Sequence, residues 1–332
     1  MKPRIGLLLG DPTGIGPELA AKLLRLPGVI DRAKIIMIGG AEIYRMGEAV
    51  VGPPLALPVV ADIAEVDFND DGPALLNRPN LTLSAFKPGQ VDVAAGRYVL
   101  ESLTLALALA QSGQIEAVCF PPLNKQAMHL AGNPFHDEMR FFAHHLGVTG
   151  AFGELNALDN LWFSRVTSHV PISEVSQHIT QENILKTIDL TYQTLRRAGF
   201  AHPRLAVAAL NPHAGDGGVC GREEIDQIEP AIAEARAKGL DVTGPIPADV
   251  VFPQAYRGAF DAVVTMYHDQ GQIAMKMMDL DRGATVHGGL PVITTTTMHG
   301  TAFDIVGKGI AKPDSLRSAF FLACQMAEAG RN

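Results

Sequence analysis

Cysteine is scarce in this chain: Cys119, Cys220 and Cys324 are spread through 332 residues. An odd, scattered set builds no disulfide framework, and no CxxC pair is present to ligate zinc. All three are expected to be buried thiols of a cytoplasmic protein. Positive charge is not in excess either. The chain has 27 Lys and Arg against 35 Asp and Glu, a formal net charge of −8, which argues against sequence-independent binding to nucleic-acid phosphates. No apolar run approaches the roughly 20 residues of a membrane span; the richest, LTLALALA at 103–110, has the spacing of an amphipathic helix. At the N-terminus, IGLLLG is too short for the core of a secretory leader and runs into Asp11-Pro12. There is no repeat or low-complexity tract. The expectation is a soluble cytoplasmic protein with a small-molecule ligand and no nucleic-acid or membrane partner.

A composition of 47% hydrophobic and 19% charged residues suits a well-packed globular protein. The length predicts two domains of roughly 150 residues each. Short runs rich in Val, Ile and Leu alternate with segments of helical period. RIGLLLG (4–10) precedes GPELAAKLLRL, and AKIIMIGG (33–40) precedes AEIYRMGEAV. Later, EAVCF follows GRYVLESLTLALALAQ (96–111), RLAVAAL follows ENILKTIDLTYQTLRRAGF (182–200), and LDVTGPI and FDAVVTMY (260–267) follow EEIDQIEPAIAEARAKG (223–239). This alternation predicts an α/β fold of βαβ units with mainly parallel sheets. The Pro-rich stretch 52–92 is expected to add short strands or excursions at a sheet edge.

In VVTMYHDQGQIAMK (263–276) an apolar strand runs into polar groups. Asp, Gln and Gly are ordinary turn residues, so a strand end alone would explain it. The pattern recurs, however: FSRVTSHVP carries His169, LAVAALNPHAG carries His213 and VVTMYHDQ carries His268. Ligands of parallel sheets bind outside the carboxyl ends of the strands, so histidines placed there converge whatever their sequence separation. Neutral imidazoles suit Zn²⁺, Co²⁺, Mn²⁺ or Ni²⁺. A structural or substrate-contacting histidine is the simpler reading of any one of them.

Other motifs are less decisive alone. In NPFHDEMRFFAHHLG (133–147), Asp137 or a neighbour would cap a helix, or the helix N-terminus would present His136 and Asp137 to a polar ligand. GDPTGIGPE (10–18) matches neither the P-loop nor the GxGxxG register, although glycines such as Gly14 and Gly16 let a ligand approach the backbone. Lys125, in PPLNK after EAVCF, is a basic candidate or a solvated loop lysine. HGTAFDIVGKGIAKP (299–313) has too much glycine for a strand and too little period for a helix. It reads as an αβ connection, or as a loop around the adenosine end of a nucleotide, with His299 stacking and Asp304 on a ribose or adenine.

HGTAFDIVGKGIAKP and the GIGPE loop resemble the decarboxylating β-hydroxyacid dehydrogenases, the isocitrate and isopropylmalate enzymes. With ALNPHAGDGG, GPIPADVVF and MYHDQG in order, the chain resembles the 4-hydroxythreonine-4-phosphate dehydrogenase family from residue 4 to beyond 310. The resemblance implies two α/β/α domains, 1–125 with 283–332 and 126–282, with the active site in the interdomain cleft. It implies NAD, held by Gly14, Gly16, His299, Gly300, Thr301 and Asp304. A divalent metal (Zn, Mg, Mn or Co) would sit on His169, His213 and His268. His136, Asp137 and Lys276 fall at substrate contacts. It further implies a homodimer with a shared active site, one metal histidine coming from the partner.

The chain departs from the pyridoxine-pathway branch at Asp137, where a Thr is usual, and at Thr285 and Thr294, where Asn and Arg are usual. Losing an Arg removes a bidentate clamp for carboxylate or phosphate. HDE, MYHDQGQIAMK and TVHGGLP resemble instead the relatives that oxidise threonate or erythronate 4-phosphate, more than those acting on aromatic cis-dihydrodiols. The implied reaction is oxidation of a secondary alcohol β to a carboxylate, with decarboxylation. Lys276 would hold an anionic oxygen or relay a proton, Asp269 would orient Lys276 or His268, and Lys125 is a second basic group. The rivals are a three-histidine metal hydrolase, which leaves 299–313 unexplained, and a non-catalytic metabolite-binding protein, which needs no convergent histidines.

Overall fold

The computed structural model describes residues 2–279 and 281–331. The chain forms two compact units, unit 1 from Met1–Thr149 and Ala284–Asn332 and unit 2 from Gly150–Gly283. Unit 1 begins with β1 (Arg4–Leu8), α1 (Gly16–Leu23), α2 (Val29–Arg32), β2 (Lys34–Gly39) and α3 (Ala41–Ala49). It continues through β3 (Val59–Val60), β4 (Ala74–Asn77), α4 (Val93–Gln111), β5 (Ala117–Phe120), α5 (Lys125–Leu130) and α6 (Glu138–His145). Unit 2 holds β6 (Gly153–Leu158), β7 (Leu161–Arg165), α7 (Val175–His178), α8 (Gln181–Arg197), β8 (Leu205–Ala208), α9 (Glu229–Ala237), β9 (Val242–Ile246), α10 (Ala248–Tyr256), β10 (Ala262–Thr265) and α11 (His268–Met278). The chain then returns to unit 1 as β11 (Ala284–Gly288), β12 (Ile293–Thr297) and α12 (Asp314–Ala329).

The sheet of unit 1 has the order β3-β4-β2-β1-β5-β12-β11, parallel except for β11 against β12. Strands β1, β2 and β5 are short and, past their first residues, mainly apolar because both faces are covered: Ile5, Leu7, Ile35, Ile36 and Ile38 are fully buried. Of the thiols expected to be buried, Cys119 and Cys324 are, whereas Cys220 is exposed because it follows the surface turn beyond β8. The order in unit 2 is β6-β7-β10-β8-β9, with only the β6–β7 hairpin antiparallel. Asp159, at φ 52°, turns that hairpin. The α/β class and the mainly parallel strands are as the alternating pattern predicts. The stretch 52–92 supplies β3 and β4 at the edge.

Helix starts follow local chemistry. Asp92, Asn124 and Thr180 cap α4, α5 and α8 by accepting from the backbone N–H three residues on. By length and composition α4 is apolar enough to cross a membrane. Its Tyr98, Val99, Leu103, Ala106 and Leu107 are buried, and it packs on β1, β2 and β5, as a core helix does.

Residues 126–149, expected in the second domain, belong to unit 1. There α5 packs on α4, and Phe142 of α6 meets Phe120 of β5 edge-on at 5.7 Å between ring centroids. An apolar helix face in a sequence does not reveal which core it joins.

In unit 2 the segments entering β8 and β10 are joined by Arg204 and Asp261. Arg204 donates from its backbone N (2.8 Å) and Nε (3.1 Å) to Asp261 Oδ2, and from Nη2 to Oδ1 (2.8 Å). Burial raises the Asp261 carboxyl, but these hydrogen bonds outweigh it and hold the group below the usual carboxylate range. A depressed folded-state pKa adds stability that is present above the unfolded value of about 4 and lost as pH falls through the folded one. Asp261→Asn is therefore expected to destabilise by on the order of 1 kcal/mol at neutral pH, since Arg204 is half exposed. The gap from wild type should close below about pH 4, which urea unfolding at pH 7 and pH 3 would measure.

Candidate active site

Strands β7, β10 and β8 are adjacent and parallel. Their chains therefore leave the sheet in one direction. His268 lies three residues past the end of β10, His169 four past β7 and His213 five past β8. The rings of His169 and His268 stand 5.8 Å apart between centroids. Pairing continues beyond the strands: Val166 N donates to Thr265 O (2.9 Å), Thr167 N to Met266 O (3.1 Å) and Thr167 Oγ1 to the same oxygen (2.9 Å). These bonds hold the two histidine-bearing exits side by side.

The HDQG residues now have separate tasks. His268 opens α11 and does not end a strand. Asp269 Oδ1 lies 2.7 Å from His268 Nδ1, which assigns that nitrogen the proton and leaves Nε2 for a ligand. Gln270 accepts from Met266 N (2.7 Å) and donates from Nε2 to Ala209 O (2.7 Å), joining the exits of β10 and β8. Gly271 packs against Thr265, where an added Cβ would lie 3.1 Å from its side chain. Gln270 is not recognisable from sequence, because nothing local signals a bond across 61 residues. Lys276 is exposed on α11, about two turns from His268.

His213 is exposed in a left-handed turn, with φ 53° at His213, 57° at Ala214 and 48° at Asp216. Left-handed backbone costs residues with a Cβ roughly 1–2 kcal/mol each. Such strain persists only where the surroundings over-determine it, commonly at functional sites.

In unit 1 the first loop and the 299–313 loop are built on each other. Ile15 N donates to Thr301 O (3.1 Å). Glu18 Oε1 accepts from Ala311 N (2.9 Å), and Lys22 Nζ donates to Gly309 O (2.8 Å) and Ala311 O (2.6 Å). The space beside Gly14 and Gly16, expected to admit a ligand, is taken by the protein. A Cβ on Gly14 would be 2.8 Å from Thr301 Cβ, and one on Gly16 would be 2.4 Å from Leu9 O. Inside this loop Asp11 Oδ1 accepts from Thr13 N (2.9 Å) and Oγ1 (2.8 Å). Burial pushes the Asp11 carboxyl up despite those bonds. His299, Gly300 and Asp304 remain exposed on the long loop, and Thr301 is half-buried.

The PPLNK and HDE motifs also belong to unit 1. Lys125 opens α5, with Nζ 3.6 Å from Glu138 Oε2. Asp137 caps α6: Oδ1 accepts from Arg140 N (2.8 Å), and Oδ2 pairs with the Arg140 guanidinium. The capping alternative is thus the one seen, with both carboxylate oxygens engaged, while His136 is exposed. Thr285 is buried, and Thr294, at 0% exposure, is turned inward with Oγ1 3.0 Å from His287 Nδ1. Direct substrate contact by Thr294 gives way to support of His287, whose ring stacks on Phe120 (5.9 Å, 3°) and meets Phe142 edge-on (5.3 Å). His287 stands in TVHGGLP but not beyond a parallel strand, so the strand-end rule passes over it.

A family model described as "Pyridoxal phosphate biosynthetic protein PdxA" matches residues 32–323 of this chain. The chain belongs to the PdxA family. It is 47% identical to the "Putative 4-hydroxythreonine-4-phosphate dehydrogenase 2" of Pseudomonas aeruginosa, covering 98% of this chain and 97% of that one. It is 36% identical to the D-threonate 4-phosphate dehydrogenase of Pectobacterium atrosepticum, covering 98% and 100%. Among solved structures it is similar to a 4-hydroxythreonine-4-phosphate dehydrogenase from Klebsiella pneumoniae, with TM-score 0.87 and 36% identity, covering 98% and 100%. As a PdxA-family protein with such relatives, the chain is an oxidoreductase acting on a hydroxyl group.

Asp137 offers a test of its two readings. Asp137→Ala removes the cap and is expected to cost about 1 kcal/mol in urea unfolding. Asp137→Asn keeps an acceptor for Arg140 N and should cost a few tenths of that. A larger loss of turnover than of stability in Asp137→Asn would show that the carboxylate also meets substrate.

Proposed function

We propose that the chain is an NAD-dependent, divalent-metal-dependent dehydrogenase of a four-carbon hydroxy acid 4-phosphate. Threonate or erythronate 4-phosphate is preferred over 4-hydroxythreonine 4-phosphate. The observation that carries this reading is the set of three histidines at the exits of adjacent parallel strands, one of them oriented by a carboxylate. The donor set fits a divalent cation: neutral imidazoles on three separate segments, with His268 held in one tautomer by Asp269. The 299–313 loop, anchored on α1 and leaving His299 and Asp304 exposed, fits the adenosine end of NAD.

His169, His213 and His268 would hold the cation, while His299, Gly300, Thr301 and Asp304 would form the cofactor side, with Gly14 and Gly16 serving the packing of the loop beneath them. When bound, the cation supplies a Lewis acid for the hydroxyl and carboxylate oxygens, and NAD⁺ supplies the hydride acceptor. The remaining tasks fall to the chain's own groups. Asp269 holds the His268 imidazole. Lys276 binds an anionic oxygen of the substrate or moves a proton to it, and its exposure leaves the ammonium available. Lys125, with Glu138 beside it, is a second basic group at the site, and His136 contacts the substrate. Thr285 and Thr294 act on specificity through the packing around His287.

A cytoplasmic homodimer with a shared active site completes the reading. Ile273 and Met277, one turn apart on α11, are 63% and 82% exposed and flank Lys276. Apolar side chains in that position suit cover by a second copy.

Reconstituted protein should form NADH from threonate or erythronate 4-phosphate. A chelator should abolish this, and the unphosphorylated acids and an aromatic cis-dihydrodiol should be poor substrates. Asp269→Asn is expected to weaken metal affinity about 10–100-fold. Absence of turnover across the panel, with no NAD binding, would refute the reading.

A further inference from the structure

The turn that carries His213 is held in place from a distance by one carboxylate. Its backbone is left-handed without interruption from His213 to Gly217, with φ of 53°, 57°, 79°, 48° and 67°, and three of the five residues carry a Cβ. The turn is closed on itself by 3-10-type bonds, and at its ends Ala214 N donates to Asn211 O (3.2 Å), Val219 N to Asp216 O (3.4 Å) and Cys220 N to Gly215 O (3.0 Å). An external template fixes where it sits.

Glu224 supplies it. The residue is 1% exposed and opens a single π-helical turn, Glu224–Ile228, that runs into α9. Such turns re-aim side chains and are common at functional sites. Its Oε1 accepts from the backbone N–H groups of Leu210 (2.8 Å) and Asn211 (2.7 Å), the last two residues before Pro212. Its Oε2 accepts from Asn211 Nδ2 (2.9 Å), which also donates to Glu223 Oε2 (2.7 Å). The turn itself rests on the same group: a Cβ on Gly215 would lie 2.8 Å from Glu224 Oε2 and 3.0 Å from Gly221 O. One buried carboxylate therefore sets both the exit of β8 and the seat of the left-handed turn. It accepts three hydrogen bonds from the chain leading to His213.

We infer that Glu224 is a positioning residue for His213: it holds the strained turn in the one conformation that presents the imidazole beside the His169 and His268 exits. This rests on the reading of His213 as a metal ligand. Glu224 touches no reacting atom, and its effect passes through His213.

The test is metal affinity of the full-length apo protein, titrated with Mn²⁺ and Zn²⁺, for Glu224→Gln, His213→Ala and the double variant. NAD⁺ affinity and thermal melting are followed in parallel. Gln keeps the shape and one acceptor oxygen for the two backbone N–H groups but places an NH₂ against Asn211 Nδ2, so the template is weakened with little change in volume. The expected result is metal affinity about 10–100-fold weaker in Glu224→Gln, unchanged NAD⁺ affinity, and a double variant no weaker than His213→Ala. Wild-type metal affinity in Glu224→Gln, or losses that add in the double variant, would overturn the assignment while leaving His213 a ligand. Wild-type affinity in His213→Ala would overturn the ligand reading and the assignment with it. Should Glu224→Gln not fold, Glu224→Asp, which keeps the charge but withdraws the carboxylate by one methylene, replaces it in the same cycle with the same expected and contrary outcomes.

Discussion

Three parallel strands hydrogen-bonded in a fixed register are the constraint on which the placement of His169, His213 and His268 depends. Ala262 of β10 stands level with Trp162 of β7 and with Leu205 of β8. The three chain segments leave the sheet at one height and in one direction, and antiparallel pairing would send at least one of them to the opposite edge. The bonds just beyond each exit refine that placement locally. Thr167 prolongs the pairing between β7 and β10, Gln270 ties β10 to β8, and the buried carboxylate behind β8 shapes the last turn. Removing any one refinement disturbs one exit or one pair of exits, whereas disturbing the register disturbs all three.

Unit 1 obeys the same rule with different cargo. Strands β1, β5 and β12 are mutually parallel neighbours. The first glycine loop, Lys125 and the His299 loop therefore all follow carboxyl ends on one edge of that sheet. The bonds of Ile15 to Thr301 and of Lys22 to Gly309 and Ala311 fasten the first of these loops to the last. Residues nearly 290 apart in the chain thus form one surface, with glycine required because polypeptide lies against polypeptide there.

The legible part of this architecture is the part written in local pattern. Buried strands such as IGLL and IIMIG announce themselves by apolar runs, and His169, His213 and His268 are found among the polar residues just past such runs. Illegible from sequence were contacts made across the fold. Asp137 could have capped or bound until Arg140 was seen taking both of its oxygens. Thr294 looked like a specificity residue, although its burial against His287 is a property of packing. The domain boundary near residue 125 failed to anticipate α5 and α6 for a similar reason: Phe142 is as apolar in one core as in another. The hairpin of β6 and β7 was hidden because its turn, Asp159-Asn160, sits among alternations that suit helix and strand alike.

The discontinuity of unit 1 has a consequence for how the protein is made. Strand β12 lies between β5 and β11, so the first 149 residues emerge from a ribosome with β5 as an open edge. The segment that closes it comes only after the whole of unit 2. At a synthesis rate of about 5–20 residues per second this interval is on the order of ten to thirty seconds. Unit 2, continuous in sequence, can complete its own sheet within that time, while the nascent first half carries an unpaired strand of the kind that invites association with other chains. The C-terminal segment from β11 onward thus acts as the late-arriving partner of a sheet begun much earlier, and a chain stalled before β12 would lack both that partner and the 299–313 loop.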